Sequence, residues 1–156
     1  SNRLIPDAIR SFLNKKSIIL RNPNFNRPWQ HVLEPLKGYL ILALKQYYNP
    51  KKYSGAWNFG TMPNSVTSVQ KIVEYMIGFW GSGKMILKKS KLYEQTNLQL
   101  NIAKARKKIK WKPTYNIKRS VKFTVDWYKD VTTSKKSAFE TTIDQIKRYM
   151  NDSKIS

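Results

Sequence analysis

The sequence has no cysteine and one histidine, His31. The first absence excludes a disulfide scaffold, a thiolate-ligated zinc site and thiol catalysis. The second argues against a histidine metal cluster or a Ser-His triad. Glycine is scarce, with six residues and neither a G-x-G-x-x-G nor a G-x-x-G-x-x-G pattern, so the phosphate-cradling turn of a dinucleotide fold is missing. Gly81-Ser82-Gly83 follows a helical stripe, which is the wrong side of a helix for a phosphate cradle. No stretch approaches the roughly 20 apolar residues of a membrane span, and the opening SNRLIPDAIRSF has no apolar leader region. A cytoplasmic protein with no membrane partner is expected. Acids are few as well, nine Asp and Glu against 30 Lys and Arg, for a net charge of +21.

What is present is enough for one domain over residues 1–156. Hydrophobic residues make up 40% of the chain and include five Trp and nine Tyr, sufficient for a packed core. The charge reads in two ways. It fits a polyanionic partner such as nucleic acid, and it also fits a compositional bias of A/T-rich coding DNA, because 23 Lys stand against 7 Arg, with 14 Ile and 12 Asn. The basic residues are densest from Lys84 to Lys112, where ten Lys or Arg face the single acid Glu94.

Periodicity orders the elements. Leu4, Ile5, Ala8, Ile9, Phe12 and Leu13 form a helical stripe with Asn2 as N-cap and Pro6 in the first turn. Ser17–Leu20 and Trp29–Val32 read as short strands across an Asn/Pro-rich turn. A helix follows from Pro35 to Tyr48, ended by Asn49-Pro50. Ala56–Gly60 reads as a buried strand. Ser65 or Thr67 then caps a helix carrying Val69 to Trp80, and Met85–Leu87 forms a strand. Helices are expected over Ile102–Ile109, after Asn116, and over Thr141–Met150. The order describes a mixed α/β domain without repeats, rich in helices for its few strands. Apolar faces at Leu36–Tyr47 and Val69–Trp80 are therefore expected to stay uncovered and to drive self-association.

The strings RLIPDAIRSF, IILRNPNFNRPWQHVLEPLKGYLILA and WNFG, followed by KARKKIKWKP, TVDWYK and TTIDQIKRY, carry a resemblance. Together they are similar to the C-terminal half of the CDP-glucose 4,6-dehydratases, a nucleotide-sugar lyase family within the extended short-chain dehydrogenases/reductases. KARKKIKWKP matches that family's K-A-x-x-x-L-G-W-x-P, and TTIDQIKRY its terminal Q-I-x-x-Y. The resemblance covers nearly the whole chain. It implies a substrate-binding part that lacks the N-terminal Rossmann half, with NAD as the cofactor of the full-length enzyme and none bound by this chain. It also implies a CDP-glucose-like nucleotide sugar as ligand. No family Tyr-x-x-x-Lys pair is found, since Tyr48 and Lys52 straddle Asn49-Pro50 and read as surface residues. No catalytic residue and no metal ligand is therefore assigned. The sequence reads as incomplete for catalysis: a truncated or proteolysed product, or that of a split or degenerate gene.

The same resemblance implies a set of substrate contacts. The arginine of R-P-W-Q-H-V reaches the diphosphate, which assigns Arg27; a guanidinium fork pairs bidentately with phosphate oxygens, as lysine does not. Arg3, Leu4, Ile5 and Pro6 would lie along the nucleotide, Ile19, Leu20 and Arg21 beside base and ribose, and Asn58 under the phosphate-binding loop. Leu4 and Ile5 read equally well as core, Asn58 as a strand cap and Arg21 as a solvated charge. Trp29, His31 and Glu34 read as packing, strand and helix-start residues. Two departures stand out. Lys91-Leu92-Tyr93-Glu94-Gln95 replaces the family's His/Pro-rich H-E-A segment, and Lys110 stands where glycine precedes the tryptophan, at the cost of strain if that backbone needs positive φ. The alternatives are a basic nucleic-acid-binding module centred on Lys84–Lys112 and a fragment with no activity.

Overall fold

A computed structural model describes residues 3–63, 65–88 and 99–154. The first helix, α1 (Leu4–Leu13), buries Ala8, Ile9 and Phe12 on one face; Arg3 is its extended N-cap, and Asn2 lies outside the described residues. β1 (Ile18–Leu20) follows, then β2 (Asn26–Arg27), α2 (Leu33–Tyr48), the single turn α3 (Pro50–Tyr53) and β3 (Thr67–Ser68). The rest is α4 (Val69–Trp80), β4 (Met85–Leu87), α5 (Ala103–Ile109), α6 (Ile117–Thr132) and α7 (Ala138–Lys154). The strands make two separate pairs. β1 runs parallel to β4 with Ile19 opposite Ile86, and β2 runs antiparallel to β3 with Arg27 opposite Thr67.

The main core joins α1, β1, α4 and α6 through Phe12, Ile18, Leu20, Ile72, Met76 and Val125. A second cluster sets Phe59, Ile109 and Trp111 against Ile41 and Leu42 of α2, and a third unites Tyr115, Phe123 and Tyr149 with Leu33. The close approach of α2 to the second cluster requires glycine at one position. A Cβ on Gly38 would lie 2.3 Å from the Phe59 ring, inside any real contact distance.

Two expected strands do not form, and each absence has a hydrogen-bonding cause. At Trp29–Val32 the chain is irregular, because Pro28 supplies no N–H and the Trp29 N–H turns back to the Arg27 carbonyl. At Ala56–Gly60 two carbonyls are taken by side chains, Ala56 O by Lys104 Nζ and Phe59 O by Gln30 Nε2. The cap of α4 is Ser68 rather than Ser65 or Thr67, and α7 begins three residues earlier than expected. The expected exposure of α4 is also overturned: Ile72, Val73 and Met76 are buried against α6. α2 does keep an open apolar stripe, in which Leu40 is 72% and Tyr47 82% exposed. The sheet pair has an open side too, with Ile19, Ile86 and Leu87 exposed. Among the described residues no helix is long and apolar enough to cross a membrane.

Candidate functional site

The segment from Phe25 to Pro35 is fixed by its side chains rather than by a sheet. Trp29 Nε1 donates to the Thr67 carbonyl at 3.2 Å and Gln30 Nε2 to the Phe59 carbonyl at 3.0 Å. His31 is buried, meets the Phe123 ring edge-on at 5.4 Å, and accepts from the Leu33 N–H through Nδ1, which places its proton on Nε2. Burial lowers the His31 pKa to about 4, so its ring is neutral at ordinary pH.

Glu34 closes the segment. It is fully buried, and its carboxylate accepts from the Thr114 N–H at 2.8 Å, the Tyr115 N–H at 2.8 Å and the Tyr149 hydroxyl at 2.6 Å. Its own carbonyl accepts from Trp111 Nε1 at 3.2 Å. The Thr114 hydroxyl donates to Tyr149 Oη and accepts from Lys37 Nζ, whose pKa is lowered by burial against the opposing pull of Glu34. Burial, with Glu34 accepting from the phenol, pushes the Tyr149 pKa above its usual range. Three separate strings of the sequence thus meet at one carboxylate: the L-E-P of the long string, the W-x-P tryptophan and the tyrosine of the last helix. Sequence reading placed Glu34 at a helix start, and no local signal shows that its partners lie roughly 80 to 115 positions away.

This frame holds Arg27 on β2. The side chain is half-buried; its Nη1 donates to the Asn26 carbonyl at 3.1 Å, and its guanidinium carbon lies 5.4 Å from the centre of the Phe25 ring. The other candidates divide between surface and core. Arg3, Ile19 and Arg21 are exposed, Pro6 is half-buried, and Leu4 and Ile5 pack on the main core, in which Leu20 is buried. Asn58 is exposed and donates to the Asn101 carbonyl at 3.4 Å, beside the second cluster. Tyr48 and Lys52 are both exposed, on opposite sides of the break at Asn49, and cannot act as a helical pair. Lys91–Gln95 lies outside the described residues. Lys110 does adopt the left-handed conformation, φ +57, as C-cap of α5. The basic segment is split by undescribed residues; in its later part Lys104 sits over the Trp57 ring while Arg106, Lys107 and Lys108 are exposed. Among the described residues no group of three His, Cys, Asp or Glu could hold a metal.

The architecture is that of the C-terminal part of extended short-chain dehydrogenase/reductase epimerases and dehydratases. UDP-glucuronic acid 4-epimerase from Bacillus cereus, solved with UDP-glucuronic acid and NAD, superposes with a TM-score of 0.68 at 19% identity, over 83% of this chain and 40% of that one. dTDP-glucose 4,6-dehydratase from Bacillus anthracis, solved with NAD, gives 0.67 at 21% identity, over 82% and 39%. Sequence narrows the relationship. CDP-glucose 4,6-dehydratase of Salmonella typhimurium (strain LT2) is 38% identical over 130 residues, 82% of this chain, and the chain spans 36% of that relative's length. The resemblance to the C-terminal part of a CDP-glucose 4,6-dehydratase, in the NAD-dependent epimerase/dehydratase family, thus holds in sequence and in fold. No family model matches the sequence. The comparisons lend no support to a nucleic-acid-binding module.

Proposed function

We propose that the chain is the nucleotide-sugar-binding part of a CDP-glucose 4,6-dehydratase-like lyase, with Arg27 holding the diphosphate. The observation that carries this reading is the 38% identity to CDP-glucose 4,6-dehydratase over 82% of the chain. The geometry supports it, because the Glu34 hub and the anchors of Trp29 and Gln30 hold β2 from several sides. A guanidinium fixed at its strand needs little further ordering to accept two phosphate oxygens. Arg3, Leu4, Ile5 and Pro6 at the start of α1 serve the nucleotide in this reading, Ile19 to Arg21 flank its base and ribose, and Asn58 supports the phosphate loop.

NAD does not fit the residues described. Gly81, at φ +90, ends α4, whereas a pyrophosphate cradle needs a glycine turn that opens a helix. No step is derived through NAD on this chain; hydride chemistry is proposed to belong to a nucleotide-binding half in the intact enzyme. The open stripe of α2, with Leu36, Leu40 and Leu44, is the proposed seat of that half. Affinity for CDP tests the reading in three proteins: the unaltered chain, Arg27→Lys and Arg27→Ala. Losing one charge-assisted bidentate contact is worth about 1.5–3 kcal/mol, or roughly 10- to 150-fold in affinity. Lysine should recover only part of it. Equal affinity in all three proteins would refute the role of Arg27.

A further inference from the structure

Helices α1, α6 and α7 and the segment Gln30–Leu33 line a cavity of about 380 Å3. None of its eleven lining residues is Lys, Arg, Asp or Glu, in a chain of net charge +21. Arg27 is not among them. The walls are apolar and aromatic, with Ile5, Leu33, Trp127, Tyr128 and Ile146 facing two glutamines and the neutral His31. An uncharged, largely apolar wall excludes phosphates and favours a neutral aromatic guest.

The polar groups around the cavity are nearly all committed. Gln145 Nε2 donates to the Phe123 carbonyl, Trp127 Nε1 to the Thr142 hydroxyl, and His31 Nδ1 accepts from Leu33. Gln30 is the exception: its Nε2 is held by the Phe59 carbonyl, while its buried Oε1 has no hydrogen-bond partner. A buried amide oxygen left unpaired is disfavoured, and what it lacks is a donor. We propose that this cavity binds a small, uncharged, planar aromatic molecule that presents one N–H donor to Gln30 Oε1. The inference is independent of the nucleotide-sugar reading. A second void of about 20 Å3, lined by Gln30, Ser120 and Thr124, has room for one water, which is the competing donor.

Indole and 1-methylindole share shape and differ in the single N–H, so the pair separates the two donors. Each is titrated into the isotopically labelled full chain, with affinity read from the side-chain resonances of Trp127, His31 and Gln145. The expected result is saturable indole binding, about tenfold or more tighter than 1-methylindole, unchanged by saturating CDP. Ile146→Trp, which fills the cavity, should abolish the indole shifts; if that variant fails to fold, the two indoles on the unaltered chain still decide. Equal affinities would mean that the water satisfies Gln30 and would overturn the proposal. So would silence at these resonances, or displacement of indole by CDP.

Discussion

Replacing Glu34 with alanine removes one side chain and strands three donors. The Thr114 and Tyr115 N–H groups lose their acceptor on the buried side of the loop before α6, and the Tyr149 hydroxyl loses its shortest partner. Each orphaned buried donor costs about 1–3 kcal/mol, offset in part because the mutant no longer desolvates a carboxylate. Tyr149 keeps a contact with the Thr114 hydroxyl at 3.3 Å, so the two amides dominate. The net loss should be about 3 kcal/mol, a large part of the roughly 5–15 kcal/mol that stabilises a domain. Tyr149→Phe removes one donor and leaves the carboxylate its two amides, for a loss of about 1 kcal/mol. Urea unfolding followed by tryptophan emission reads both, because Trp111 is 1% exposed and donates to the Glu34 carbonyl. A loss below about 1 kcal/mol for Glu34→Ala would refute the hub, as would a larger loss for Tyr149→Phe.

His31 gives the fold a pH dependence. Its folded pKa of about 4 lies below the ordinary 6.5, so between those values the unfolded chain takes up a proton that the folded chain refuses. Stability is complete above pH 6.5 and falls toward pH 4, by about 3 kcal/mol in total. His31→Gln should flatten the slope between pH 6.5 and 5 in urea titrations, and an unchanged slope would assign it to other groups. Lys110→Gly relieves a left-handed residue at φ +57 and should stabilise the chain by about 0.5–1 kcal/mol, raising Tm by a few degrees. A lower Tm would show that the Lys110 side chain contributes more than its backbone strain costs. The α2 stripe, with Leu40 72% and Leu44 60% exposed, should make the isolated chain self-associate. Light scattering should show lower mass for Leu40→Lys/Leu44→Lys, and a monomeric unaltered chain would count against the stripe as a sticky face.

The helices were legible because their apolar residues recur at helical spacing with identifiable ends. Asn116 and Ser68 accept from the N–H three positions on, and Gly81 ends α4 in the left-handed conformation. The strain at Lys110 was legible too, from a lysine standing where the similar family has glycine. What the sequence hid was pairing over distance. Trp29–Val32 and Ala56–Gly60 carry strand-like residues, but their polar groups are used by Arg27, Lys104 and Gln30 instead of by neighbouring strands. Composition likewise does not show that α4 is covered while α2 is not, since both carry long apolar faces; α6 packs on the first. Of the candidate contacts, the sequence left Leu4, Ile5 and Asn58 open between ligand and structural roles. Their placement, two on the core and one on an exposed loop, supports the surface residues Arg3, Ile19 and Arg21 as the more accessible members of the set.

The nucleotide-sugar reading is tested most directly by mapping CDP-glucose onto the labelled chain through amide chemical shifts. The account predicts saturable changes concentrated at the start of α1, at Ile19–Arg21 and around Arg27, and their loss in Arg27→Ala. Changes confined to the exposed basic residues Arg106–Lys108, equally produced by an oligonucleotide and removed by salt, would contradict it.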